Sequence, residues 1–167
     1  AVGLLGATTV FVDIDPKTFN MDAAEVERLI TPKTKAIVPV HLFGQCANMT
    51  AIMDIAEANG IAVIEDAAQA VGASWNGKKA GSWGEMGTLS FFPTKNLGCY
   101  GDGGAVLSKR ADLLEHARLI SNHGSKKKYH NEVVGVNSRL DAIQAAILGV
   151  KLKKLDEYSE ARRRAAS

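Results

Sequence analysis

Two stretches of the sequence end short β-rich runs with side chains able to act on one small molecule. Val63-Ile64-Glu65-Asp66-Ala67-Ala68-Gln69-Ala70 puts Asp66 just past an apolar run, and Ser90-Phe91-Phe92-Pro93-Thr94-Lys95-Asn96-Leu97-Gly98 puts Lys95 past another. A carboxylate can hold a proton on a basic ligand atom. A lysine amine attacks a carbonyl carbon once it is partly neutral, which a site achieves by desolvating it or placing positive charge nearby. In parallel sheets ligands sit at the carboxyl ends of the strands, so an acid and an amine at adjacent strand ends can face one ligand. Taken singly, such residues are more often salt-bridge partners or solvated charges.

Other candidates carry two readings each. His41, after Val38-Pro39-Val40, ends a strand on the same side, either near the site or as a buried structural histidine. His123 and His130 lie in a polar stretch and meet either substrate or solvent. Lys126-Lys127-Lys128 reads as a solvated face, with a nucleotide diphosphate as the functional alternative. Gly101-Asp102-Gly103-Gly104 precedes a strand instead of opening a helix, so it reads as a tight turn and not a nucleotide loop.

The elements that must position these residues follow from hydrophobic period and turn chemistry. Thr9–Ile14 has period-2 character and ends at Asp15-Pro16. Asp22 and Glu25 open a helix through about Ile30. Lys35–Val40 is a nearly continuous apolar run, expected as a strand buried on both faces. Thr50–Asn59 is a helix stopped by Gly60, and Ile61–Ile64 a buried strand. Trp75-Asn76-Gly77-Lys78 is a type I′ hairpin turn. Strands follow at about Gly87–Phe92 and Gly104–Ser108, a helix at Ala111–Ile120, a long loop over 121–137, and one helix from Arg139 to about Tyr158. Alternating strands and helices imply βαβ units and a mainly parallel sheet flanked by helices.

The composition narrows the classes. The 167 residues suffice for about one domain with its own core. An apolar fraction of 46% and a charged fraction of 23% exclude a disordered or fibrous chain. With 20 Lys and Arg against 18 Asp and Glu, no basic excess points to nucleic acid. No apolar run is long enough to span a bilayer, and no secretion signal opens the chain. Cys46 and Cys99 form no CxxC, so neither a disulfide framework nor a cysteine-built metal site is expected, and the reducing cytoplasm is the expected setting. The chain begins at Ala1, not Met. Ala1–Leu5 reads as the last turn of a helix closed by Gly6, and Ser167 follows shortly after a helical pattern. The expectation is a piece of something larger.

Taken jointly, the motifs are specific. The segment Val63–Ala70, then Leu89-Ser90-Phe91-Phe92 with Lys95, then Gly101–Gly104, resembles the DegT/DnrJ/EryC1/StrS aminotransferases. Upstream Val38-Pro39-Val40-His41-Leu42-Phe43-Gly44-Gln45 and downstream Asn137-Ser138-Arg139 with Gln144-Ala145-Ala146 are similar to family segments in the same order. The resemblance implies a fold-type I large domain, incomplete at both ends: residues 1–167 would be its central part, without the upstream phosphate-binding segment or the C-terminal small domain. It implies pyridoxal 5′-phosphate as cofactor, with Lys95 as the Schiff-base lysine and Asp66 as partner of the pyridine nitrogen. Ala68 would lie against the ring, Gln69 would bond the ring oxygen or its surroundings, and Ser90 would bind phosphate, its plain alternative being a satisfied strand-end serine. Asn137 would reach the phosphate in a neighbouring subunit of a homodimer, its alternative being a cap for the helix near Arg139. Asp102 stands where relatives commonly carry Glu. The implied reaction moves an amino group, with glutamate as donor, to a nucleotide-linked keto-sugar. A sugar dehydratase of the same superfamily is the nearest rival; dehydratases replace the lysine by histidine, so Lys95 favours transamination. A non-catalytic fragment retaining the fold is the reading from another class.

Overall fold

Asp22 starts the first helix by accepting the Ala24 N–H on its side chain at 2.9 Å, and α1 runs Ala23–Leu29. Strand β1 (Ala36–Ile37) follows, then α2 (Met49–Asn59), capped by the Asn48 side chain and closed by Gly60 in the left-handed region at φ 62°. Glycine carries no Cβ penalty there, which is why the sequence marked this stop. Strand β2 is Ala62–Asp66. The hairpin of β3 (Ser74–Trp75) and β4 (Lys78–Lys79) turns on Asn76 at φ 46° and Gly77 at φ 77°, the pair of positive angles that the Asn-Gly signal requires. Then come β5 (Met86–Ser90), β6 (Gly104–Leu107), α3 (Ala111–Ser121), a small ribbon of β7 (Ser125–Lys127) and β8 (His130–Asn131), α4 (Ala142–Leu152) and α5 (Leu155–Ala166).

This computed structural model describes residues 2–127 and 129–166. Ala1, Lys128 and Ser167 lie outside the described residues, and with them one end each of the expected Ala1–Leu5 turn and the lysine run. The four-stranded sheet has the order β1-β2-β5-β6. β1, β2 and β5 are parallel, while β6 returns antiparallel to β5 with Gly104 opposite Ser90. In this α/β sheet Asp66 pairs across from Thr88, so β2 and β5 end side by side. Val26, Ile37, Met49, Ile52, Ala56 and Val63 form the main core between α1, α2 and the sheet. Leu97, Cys99, Leu148 and Leu155 pack a second cluster that fixes the segment after Lys95 against α4 and α5. Among the described residues no helix is long and apolar enough to cross a membrane.

Several expectations are corrected. Thr9–Ile14 forms no strand; Ile14 alone bridges antiparallel to Met21, because Asp15 folds the chain back by accepting the N–H groups of Lys17 and Thr18. The Lys35–Val40 run forms a two-residue strand with a further bridge at Val40, and it is buried on one face only. Ile37 and Pro39 point into the core, whereas Val38 and Val40 are 39% and 40% exposed. The 121–137 loop contains the β7–β8 ribbon. The single helix expected from Arg139 is two helices broken at Lys153-Lys154. Of the expected apolar stripe Leu140, Ile143, Ile147, Val150 and Leu155, only Leu155 is buried; Ile143 and Val150 face outward at 72% each, and the buried residue of α4 is Leu148 instead. The Ala1–Leu5 turn is a 3₁₀ turn over Val2–Leu5, closed by Gly6 at φ 73°.

Candidate functional site

Period-2 alternation along β2 sends the two neighbouring acids to opposite sides of the sheet. Glu65 points inward and is wholly buried, whereas Asp66 ends the strand half-buried. The Asp66 carboxylate is pinned by one oxygen: Oδ1 accepts the Ala68 N–H at 3.0 Å. Its backbone is fixed on both sides, by Asp66 N–H to Pro39 O and His41 N–H to Asp66 O, each 2.9 Å.

Lys95 lies in the turn after β5, its N–H donating to Phe92 O at 2.9 Å. The turn is tied down by Asn96, whose side chain donates to Val71 O at 2.6 Å, and by the buried Leu97 and Cys99. Gly98 is required there because a β-carbon would come within 2.5 Å of Pro93 O. Ser90, at the end of β5, accepts the Phe92 N–H on Oγ at 3.3 Å. The exposed Gln69 accepts the Phe43 N–H on Oε1 at 2.8 Å.

Asp66, Ala68, Gln69, Ser90 and Lys95 are therefore gathered at the carboxyl ends of the paired strands β2 and β5 and in the turns that follow them. Asn137 is not among them. It bridges Asn122 and lines a separate hollow of about 710 Å³ with Asp102, Arg118 and Arg139. It does not cap α4 either, since Asp141 holds that position. A cleft of about 640 Å³ borders Lys95 and is lined by Pro93, Asn96, Lys151, Tyr158 and Arg162; Asp66 does not line it.

The reading of the sequence missed the role of Glu65. Its Oε2 accepts from His41 Nε2 at 2.9 Å and Gly81 N–H at 2.7 Å, and its Oε1 from the N–H groups of Trp83 at 2.6 Å and Gly84 at 2.9 Å. Burial alone would push the Glu65 carboxyl up. The His41 bond and the three backbone donors overcome that penalty and hold it below the ordinary glutamate range. His41 Nδ1 accepts the Ala47 N–H at 3.1 Å, so the ring proton sits on Nε2 and is given to Glu65. The open choice for His41 is thus decided in favour of a buried structural histidine. The available signal was the acidic pair itself, since adjacent strand residues cannot both face one side. His123 and His130 are exposed in the 121–137 segment.

Cys46 and Cys99 are free and buried. Burial pushes the Cys46 thiol up, with repulsion from Glu65 adding to it. Among the described residues no group of three or more His, Cys, Asp or Glu is placed to hold a metal ion.

The sequence profile of the DegT/DnrJ/EryC1/StrS aminotransferase family matches residues 1–167. The chain is 57% identical over its whole length to the pleiotropic regulatory protein of Geobacillus stearothermophilus, covering 45% of that protein. It is 52% identical to the UDP-N-acetyl-3-dehydro-alpha-D-glucosamine 3-aminotransferase of Acidithiobacillus ferrooxidans, over 99% of this chain and 45% of that protein. Among solved structures, an aminotransferase from Brucella abortus superposes with a TM-score of 0.92 at 44% identity, over 98% of this chain and 46% of that one. The chain thus spans about half the length of the curated relatives it matches.

Proposed function

Because the chain belongs to the DegT/DnrJ/EryC1/StrS aminotransferase family, we propose that residues 1–167 are the central part of the cofactor-binding large domain of a pyridoxal-phosphate aminotransferase. Its substrates are an amino donor, glutamate, and a nucleotide-linked keto-sugar. The observation that carries the reading is the pairing of β2 with β5, which sets a half-buried carboxylate and an amine past adjacent strand ends. The donor set fits the cofactor: an anionic acceptor for a protonated ring nitrogen, an amine for an aldehyde, an amide and a hydroxyl for oxygens, and a small side chain at Ala68 where a flat ring needs room.

Pyridoxal phosphate, when bound, supplies an aldehyde that takes up the amino group and a cationic ring that draws off the electron pair left when the Cα proton departs. The protein's share is positional and acid–base. Asp66 holds the proton on the ring nitrogen, and the Ala68 N–H keeps the carboxylate turned for it. Lys95 would hold the cofactor through its aldehyde and, as a free amine, would carry the proton away from and back to the substrate carbon. Gln69 and Ser90 orient the ring and phosphate. Asn137 serves the partner subunit of a homodimer, in keeping with its place in a hollow that neither Asp66 nor Lys95 lines. Lys95, and not histidine, favours transamination over dehydration.

Asp66→Asn tests the reading. The amide keeps the size and the Ala68 bond but does not hold the ring nitrogen protonated. The full-length variant is expected to retain a visible cofactor band while glutamate-dependent turnover falls about a hundredfold, the usual cost of removing one preorganised charge-stabilising group. Near-normal turnover would show that Asp66 has another role.

A further inference from the structure

The turn between β1 and α2 holds an unfavourable conformation beside the candidate site. Phe43 adopts φ 56° and ψ 21°, in the left-handed region, and Gly44 follows at φ 83°. A residue with a β-carbon stays there only where its surroundings over-determine it. Two side chains do so. Asn20, 3% exposed, accepts the Leu42 N–H on Oδ1 at 2.9 Å and donates through Nδ2 to Gln45 O at 3.2 Å and Cys46 O at 3.4 Å. His41, wholly buried and braced by Glu65, accepts the Ala47 N–H at the far end of the turn. Both polar groups are buried, so each bond they make to the turn is costly to lose.

The turn's contact with the site is the Phe43 N–H, which Gln69 Oε1 accepts at 2.8 Å. An N–H can be accepted only by the amide oxygen, so this bond decides which way round the Gln69 amide sits. Its NH₂ becomes the group left to donate elsewhere. Were the turn to relax, the amide could rotate and offer its carbonyl to an anionic oxygen, turning attraction into repulsion.

We infer that the 42–47 turn, held by Asn20 and His41, is a positioning device for Gln69, fixing its amide so that N–H and not C=O meets the cofactor's ring oxygen. The inference rests on the proposed cofactor reading and extends it to residues that touch neither cofactor nor substrate. Asn20 and His41 are positioning residues in this scheme.

The test is a pyridoxal-phosphate titration of the full-length protein followed by visible absorbance, with melting temperatures measured in parallel. Asn20→Ala removes the clamp and leaves Gln69, Asp66 and Lys95 in place. Its Kd is expected to rise about tenfold, the loss of one charge-assisted hydrogen bond. Its bound-cofactor band should shift in the same direction as that of Gln69→Ala, and the double variant should bind no more weakly than Gln69→Ala alone. Gly44→Ala guards against an Asn20→Ala protein that does not fold. Gly44 is exposed, and an alanine at φ 83° disturbs the turn without deleting a polar group; it should show the same band shift. A lowered melting temperature with wild-type Kd and band in these variants, or additive losses in the double variant, would overturn the inference and leave the cofactor reading standing. Failure of the wild type to bind the cofactor would overturn both, and the wild-type titration alone tells that case apart.

Discussion

The neighbours Glu65 and Asp66 are chemically alike and are used in opposite ways. Strand alternation turns one into the core and leaves the other at the strand end, and only the inward one acquires four donors. Removing its charge leaves buried N–H groups facing an amide NH₂. Glu65→Gln should therefore cost about 3 kcal/mol at neutral pH, read by chemical denaturation. The pH dependence has a definite sign. A carboxyl held below its ordinary range stabilises the fold above that range and loses this contribution as pH falls through the lowered folded value. The gap between wild type and Glu65→Gln should thus close in acid, and a gap that widens there would contradict the assignment. At this scale the sequence pointed to Asp66 and Lys95 through their strand-end contexts. It did not reveal the His41–Glu65 bond, because that contact depends on β1 lying beside β2, which local pattern does not encode.

At the scale of elements, punctuation was legible and burial was not. Gly60, Asn76-Gly77 and Asp22 ended or started elements where their backbone preferences require it. Thr9–Ile14 has a strand's pattern but no neighbouring strand to pair with, and a period-2 run without a partner remains an extended segment. The Arg139–Tyr158 pattern breaks because Lys154 N–H turns back to Lys151 O, which lets Leu155 reach the Leu97–Cys99 cluster. The β7–β8 ribbon is polar and short, below what hydrophobic period can show. One glycine carries a prediction. A β-carbon at Gly84 would lie 2.2 Å from Val63 O, in a turn that also donates its N–H to Glu65. Gly84→Ala should lower stability by about 2–3 kcal/mol, the range for forced overpacking against an unyielding backbone. A denaturation midpoint equal to wild type would mean that the turn can move away from β2.

At the scale of the whole molecule, the sheet is covered on one face and open on the other. Val38 and Val40 at about 40% exposure leave apolar surface that parallel strands ordinarily bury under helices, and Ile143 and Val150 on α4 add exposed apolar surface at 72% each. Residues 1–167 alone should therefore self-associate, and sedimentation showing a stable monomer at micromolar concentration would contradict this. The same openness explains why an apolar run read as buried on both faces is buried on one. The fold class follows from alternating periods, whereas the strand order and the cover over the second face are not properties of local sequence. The central claim is that Lys95 is the amine that holds the cofactor, and borohydride reduction of the cofactor-loaded full-length protein, followed by peptide mapping, tests it most directly. The account predicts a pyridoxyl label on Lys95; a label on any other lysine, or none, would contradict it.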